Sequence, residues 1–369
     1  MMVTTYATPH NWRRDLLVAA VNKGHEVIVA SPESPSVMEE TLAKSGVSYV
    51  QFPCERTGMN PIGDLKAMRA LTQILLEHKP DVLMIYQIKS VLLGPHSARK
   101  ARIPRVLVLA NGLGTTFDDY GFGVSWKARL VRIAYKRALK KVNAIVFQNS
   151  DDPVLLGNHG ILPASIEQVI VPGSGVNLER FTFEQVPSGP PVFVLVSRLL
   201  ISKGVRDFVQ AGKILRKKYP EVRLRLVGQL EESNHPDALP ESELQAWIDA
   251  GDVEYPGFVN DVRQQLVESS VFVLPSYYRE GVPRSNLEAL ATGRAIITTD
   301  WTGCRDTVVD GGNGFLIKPR DPAGLAIAME RYVADPQLAA KHGACSRDLA
   351  KTKFDVNLVN AMMLDALRL

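Results

Sequence analysis

At 369 residues, with 46% hydrophobic and 22% charged side chains, the chain has ordinary globular usage and room for two domains of roughly 180 residues. A formal net charge of +4 is mild, and a basic footprint signals nucleic acid only when it is suitably clustered, so no nucleic-acid partner is expected. The three cysteines, Cys54, Cys304 and Cys345, are odd in number and far apart, which argues against a disulfide framework or structural zinc and for a reducing, cytoplasmic setting.

In chain order, the first segment, Met1 through Ala7, is shorter than an opening strand usually is: either the strand is short or the natural start lies upstream of Met1. No apolar run reaches the length of a membrane span, and the N-terminus lacks the charged and apolar regions of a signal peptide, so a soluble or peripheral protein is expected. Short β-branched apolar runs then follow at residues 26–30, 81–85, 105–109 and 144–147, and again at 192–196, 223–227, 271–274 and 295–299. Continuous rather than alternating hydrophobicity predicts strands buried on both faces of a parallel sheet. Helical stretches such as 204–219 and 323–334 separate them, which reads as βαβ units and two doubly wound domains. A Pro/Gly-rich stretch at 186–191 suits the connection between them. The expected division is 1–183, 184–354 and a C-terminal helix at 355–369 that returns to the first domain. Two such domains place the C-terminal ends of both sheets on a shared cleft, where these folds bind ligands.

The strongest chemical signal is Glu280-Gly281-Val282-Pro283-Arg284-Ser285-Asn286-Leu287-Glu288. It follows the 271–274 strand and runs into a helix containing Glu288, so backbone N–H groups and a positive dipole end gather there as an anion site. Two carboxylates so placed suit hydroxyl-rich partners, a ribose and a sugar ring, although surface glutamates in a loop would read the same way. The second signal is Arg198 and Lys203, set in the turn after the 192–196 strand. Two cations there could neutralise a diphosphate, Arg as a bidentate fork and Lys as a point charge. Alone, such a pair is common in solvated loops.

Taken together in order and spacing, these motifs resemble the retaining GT-B glycosyltransferases with an E-x7-E signature, family-4-like, over residues 192–332. The fold this implies is α/β, two facing Rossmann-like domains with an inter-domain cleft. Glu280 and Glu288 match the signature glutamates, and Arg198 and Lys203 the phosphate-binding pair. The resemblance implies catalytic roles for Arg198, Lys203 and Glu280. Gly257, Phe258 and Val259, the end of a base-flanking loop, would bind the donor together with Gly281, Val282, Pro283, Arg284, Ser285, Asn286, Leu287 and Glu288. Gly303 and the 309–316 run resemble the closing segments. The N-terminal half is similar to bacterial transferases acting on polyprenyl-diphosphate-linked acceptors, through Asn11-Trp12-Arg13, residues 24–27, Ile88-Lys89 and residues 111–114. His10, Asn11, Arg13, Lys89, Asn111 and Gly112 are the acceptor-side candidates this implies. The chain departs from many members in two places: Thr8-Pro9-His10-Asn11 stands where they carry glycines, and Gln87-Ile88-Lys89 offers no histidine, for which His10 could substitute.

What the resemblance implies is a metal-independent, retaining transfer of an N-acetylhexosamine or hexose from a UDP-sugar to a polyprenyl-diphosphate-linked saccharide, in bacterial surface glycan synthesis. The nucleotide-sugar is a substrate; no cofactor and no metal are expected, and no D-x-D motif occurs in the sequence. Arg198, Lys203 and the amides of residues 285–287 would stabilise the leaving diphosphate, Glu288 would take the ribose hydroxyls, and Glu280 with residues 281–283 would hold the sugar. Residues Trp126 to Val142 read as a helix with seven cations and no acid. Val131, Ala134, Tyr135, Ala138 and Val142 form a core-facing stripe, while Trp126, Leu130 and Ile133 fall among the cations. That pattern suits an anionic lipid surface, hence a peripheral location on the inner face of the cytoplasmic membrane, or else a merely solvated basic helix. Two rival classes remain. A UDP-sugar 2-epimerase-like enzyme would release free sugar, and a nucleotide-sugar-binding scaffold would bind donor without turnover.

Overall fold

The computed structural model describes residues 1–4, 9–42, 44–55, 60–114, 117, 126–231, 235 and 237–369; of these, the side chains of 9–12, 39–41 and 127 lie outside the description. The chain divides into two compact units, Met1–Ser174 with Asn357–Leu369, and Gly175–Val356.

The first unit is built on strands β1 (Met2–Val3), β2 (Val27–Ser31), β3 (Val47–Gln51), β4 (Val82–Tyr86), β5 (Arg105–Ala110), β6 (Ala144–Phe147) and β7 (Glu167–Ile170). All pair in parallel in the order β3-β2-β1-β4-β5-β6-β7. The helices are α1 (Pro9–Asn22), α2 (Pro35–Leu42), α3 (Pro61–His78), α4 (Ile88–Ala101), α5 (Trp126–Leu139) and α6 (Asp151–Asn158). Local chemistry sets their ends. Asn60 caps α3 by accepting from the Gly63 amide at 3.0 Å, Pro61 presets the first turn, and Lys79 closes it in the left-handed conformation. One core layer packs α3, α4, α5 and α6 against the sheet through Leu71, Leu75, Val91, Ala98, Tyr135, Ala138 and Leu156.

The second unit carries β8 (Val192–Val196), β9 (Arg223–Val227), β10 (Glu254–Gly257), β11 (Val271–Leu274), β12 (Ala295–Thr299) and β13 (Gly314–Ile317) in the parallel order β10-β9-β8-β11-β12-β13. Its helices are α7 (Val205–Arg216), α8 (Glu241–Asp249), α9 (Arg263–Val267), α10 (Arg284–Thr292), α11 (Pro322–Ala334) and α12 (Pro336–Lys353). Residues 175–183 belong to this unit rather than to the first: Val176 pairs with Asp355 as an isolated parallel bridge, and Val176 and Phe181 lie in its core. The segment that follows is clamped by Arg294. This fully buried side chain donates to the carbonyls of Glu184, Gln185, Ser269 and Thr292. Burial holds its pKa down at about 10.

The last helix, α13 (Val356–Leu367), puts Val359, Met363, Leu364 and Leu367 into the other core layer of the first unit, with Leu16, Leu17, Met38 and Val29. Among the described residues, no helix is long and apolar enough to cross a membrane.

Candidate active site

In the second unit the strand order reverses between β8 and β11, since β8 is flanked by β9 on one side and β11 on the other. At such a switch point the loops leaving adjacent strand ends diverge and open a crevice. Arg198 and Lys203 lie in the loop after β8, and Glu280 through Glu288 follow β11. The topology therefore brings the two motifs to one crevice although 77 residues separate Lys203 from Glu280.

Three glycines let these loops approach. A Cβ on Gly228, just past β9, would sit 1.7 Å from the Ser197 carbonyl oxygen. One on Gly204 would meet the Pro275 oxygen at 2.2 Å, and one on Gly303, after β12, the Gly281 oxygen at 2.0 Å. All three have positive φ, so no other residue fits either the space or the backbone.

With the loops so pressed together, Lys203 forms an ion pair with Glu280, both side chains 12% exposed. The Ser276 hydroxyl donates to the same Glu280 oxygen at 3.2 Å, and the Lys203 ammonium lies 5.2 Å from the centre of the Tyr278 ring. The Ser202 carbonyl accepts from the amides of Tyr277 and Tyr278 at 2.8 and 3.1 Å, locking the β8 loop to the β11 loop. Ser202 is in turn held by Asp237, through both its amide and its hydroxyl. Arg198 donates to Glu231 at 2.9 Å. Burial pulls the Arg198 pKa down, but the hydrogen bond to Glu231 and the neighbouring Tyr278, Glu231 and Glu280 outweigh it and hold it above its ordinary value. The Tyr278 hydroxyl is pushed up by burial and by the Glu280 charge.

Helix α10 begins at Arg284 because Pro283, at φ −61°, presets its cap, and no side chain caps it. The amides of Asn286 and Leu287 bond the Pro283 carbonyl at 3.1 and 3.3 Å. This corrects the expectation of three available amides at 285–287: Ser285 alone of the three makes no such bond. Asn286 faces inward, its amide donating to Thr307 at 2.8 Å. Leu287, Val282 and the Gly281 and Pro283 backbone are buried. Glu288, just over one turn into α10, accepts from Arg284 Nε at 2.9 Å. Burial raises its pKa, against the pull of Arg284 and Arg180.

Gly257 ends β10 with φ +80° and accepts from the Gly228 amide at 3.1 Å; Phe258 beside it is 63% exposed and Val259 packs partly on the core. These three lie at the sheet edge, two strands from β8, and Gly257 meets the loop after β9 through the Gly228 amide. Glu231, Tyr278, Ser276 and Asp237 were not singled out from sequence. Tyr278 and Ser276 could have been found from the Tyr277-Tyr278 pair that precedes Arg279 and Glu280, whereas no local signal marks Glu231 or Asp237.

In the first unit, Arg13 is buried with its guanidinium 5.8 Å from the centre of the Tyr86 ring, and Asn111 donates to the Tyr86 hydroxyl at 3.1 Å. That places Arg13 and Asn111 together at the C-terminal end of β4. Gly112 follows with φ +99°. Lys89 is paired with Asp64 at 3.0 Å. The side chains of His10 and Asn11 lie outside the described residues.

Two family models match the two halves: the glycosyl transferase 4-like domain over residues 11–172 and the glycosyl transferases group 1 over residues 190–335. The chain is 28% identical over 349 residues to the N,N'-diacetylbacillosaminyl-diphospho-undecaprenol alpha-1,3-N-acetylgalactosaminyltransferase of Campylobacter jejuni, covering 90% of this chain and 88% of that one. It is 27% identical to the UDP-Gal:alpha-D-GlcNAc-diphosphoundecaprenol alpha-1,3-galactosyltransferase of Escherichia coli, covering 75% and 72%. Among solved structures it resembles Anabaena HepE in complex with UDP, with a TM-score of 0.79 at 19% identity over 100% of this chain and 98% of that one.

Proposed function

Because the chain belongs to the GT-B glycosyltransferases of the 4-like and group 1 type, we propose that it moves a hexose or N-acetylhexosamine from a UDP-sugar to a saccharide carried on polyprenyl diphosphate. The observation that carries the donor half is the convergence of Arg198, Lys203, Glu280 and the uncapped start of α10 on the β8–β11 crevice. The acceptor half rests on the two undecaprenyl-diphosphate transferases to which the chain is similar.

In this reading the donor diphosphate displaces carboxylates from cations. Lys203 exchanges Glu280, and Arg198 exchanges Glu231, for phosphate oxygens. Glu280 is thereby released to accept from sugar hydroxyls, while Glu288, held by Arg284, takes the ribose hydroxyls. As the glycosidic C–O bond breaks, charge grows on the leaving diphosphate. Each preorganised donor aimed at it contributes about 2.7–4 kcal/mol, or 10²–10³ in rate. Cations and a helix start can supply this without a metal; retention of anomeric configuration rests on the family resemblance alone.

The lipid acceptor suits a peripheral site at the inner face of the cytoplasmic membrane. On α5, Trp126, Leu130 and Ile133 are 65%, 49% and 49% exposed, while Tyr135, Ala138 and Leu139 are buried. Arg129, Lys136, Arg137 and Lys140 are exposed around that apolar stripe. Each such cation near an anionic surface is worth about 1 kcal/mol.

Calorimetric titration with UDP and GDP, with and without EDTA, tests the donor site. UDP binding insensitive to EDTA and lost in Arg198→Ala and Lys203→Ala is the expected result. Binding of neither nucleotide would overturn the assignment. Free sugar as the sole product would favour epimerase chemistry, and donor binding without turnover on any lipid-linked acceptor a scaffold.

A further inference from the structure

The first unit carries a second cationic site that the transfer reaction does not use. An open pocket of about 480 Å³ is lined by Met68 from α3, His96, Arg99 and Lys100 from the last turns of α4, and Lys141 just beyond α5. Because α4 leaves the C-terminal end of β4 and runs back along the sheet, Lys100 lies about 16 Å along the helix from Lys89. Lys141 stands three residues ahead of β6. The pocket is therefore at the opposite sheet edge from Arg13 and Asn111.

No carboxylate lines it, and none of its four basic groups is ion-paired among the described residues. The Lys141 ammonium lies 2.7 Å from His96 Nδ1 and 3.2 Å from Nε2, so it donates to a neutral imidazole. Burial, then the charges of Lys141 and Lys100, lower the His96 pKa; burial and Arg99 lower that of Lys141. Arg99 and Lys100 alone have an ordinary explanation, since cations favour the negative end of a helix. That does not account for Lys141 turned in against His96 beside them. Three mutually repelling cations and a neutral histidine converging on one open cavity, without a counter-ion among the described residues, form a receptor for a compact anion of more than one charge.

We propose that this pocket binds a phosphate group other than the donor's diphosphate, held by Arg99, Lys100, Lys141 and His96. The phosphate can come from a phospholipid headgroup or from a soluble phosphate. The site is independent of how the chain's lipid acceptor or α5 apolar stripe behaves.

The test is a titration of inorganic pyrophosphate into the full chain saturated with UDP, repeated in the Lys203→Ala chain so that the donor site is blocked in one arm and disabled in the other. Binding persists in both arms, and Lys141→Gln or Arg99→Gln weakens it about tenfold each while the UDP affinity of those variants is unchanged. The exposed Lys100→Glu variant gives the same loss if either of the others is unstable. Sedimentation with phosphatidylcholine vesicles with and without phosphatidic acid separates the sources. A parallel loss of phosphatidic-acid-dependent sedimentation identifies a headgroup, and loss of pyrophosphate binding alone a soluble phosphate. Pyrophosphate binding abolished by UDP, or equal in the pocket variants, would overturn the proposal. Failure of UDP to bind would count against the donor site only.

Discussion

Replacing Gly303 by alanine tests whether close backbone approach builds the donor crevice. The new Cβ would lie 2.0 Å from the Gly281 oxygen, 2.8 Å from its carbon and 2.9 Å from the Glu280 oxygen, at φ +74°. Backbone cannot swing aside as a side-chain tip can, so the segment bearing Glu280 must move. Gly311→Ala is the matched control, in the same unit, at φ +72° with nothing within 4 Å. It isolates the left-handed backbone penalty of about 1–2 kcal/mol. Gly303→Ala adds an overpacking cost of about 1–3 kcal/mol. At about 2–4 °C per kcal/mol for a unit of this size, Gly303→Ala should melt about 2–12 °C below Gly311→Ala. Thermal melts and UDP calorimetry on both proteins check this. UDP affinity should drop in Gly303→Ala and remain at the parent level in Gly311→Ala. Equal melting temperatures and equal UDP affinities in the two variants would refute the idea that Gly303 holds the 280–281 loop in place.

Three further outcomes follow from the same geometry. Lys203→Met strands the Glu280 carboxylate in a site where both partners are 12% exposed, and should destabilise the chain by about 3–5 kcal/mol in urea melts; adding Glu280→Gln should restore much of that. Glu288→Ala should weaken UDP binding. Because burial raises the Glu288 pKa, the ionised acceptor is lost as pH falls at a higher pH than for an ordinary glutamate. UDP affinity should therefore decline on mild acidification, and Glu288→Gln should flatten that slope in calorimetry across pH. Reversing Lys136, Arg137 and Lys140 to Glu should release the chain from anionic vesicles in sedimentation, and unaltered sedimentation would remove α5 from the membrane contact.

What was legible in the sequence follows from where each strand sits. The eight runs found by continuous hydrophobicity are β2, β4, β5, β6, β8, β9, β11 and β12, all interior to their sheets. The four edge strands escaped. β3, β7 and β10 are only partly buried along their length, and β13, though largely buried, opens on a glycine; an edge strand has one neighbour, so its sequence need not be apolar throughout. The short β1 was legible only as a weak start, since two residues cannot establish a period.

The site divides along the same line between local and non-local information. Glu280 and Glu288 can be read because one loop and one helix start fix their spacing. Glu231 cannot, because it meets Arg198 from 33 residues away, across strand β9. Nor does any motif announce that Lys203, read as a phosphate ligand, is held by Glu280, read as a sugar ligand. Only the folded crevice joins the two, and the pairing changes the chemistry expected of both. If, as proposed, each cation trades its carboxylate for phosphate, the net gain on donor binding is the difference between two charge-assisted contacts rather than the whole of one. In that proposed complex Glu280 would be most available to the sugar once Lys203 had moved to the diphosphate, which would couple recognition of the sugar to capture of the leaving group. A double-mutant cycle between Lys203 and Glu280, measured on UDP-sugar and again on UDP, reads that coupling: the interaction energy should differ between the two ligands, and identical values would show that the two residues act separately.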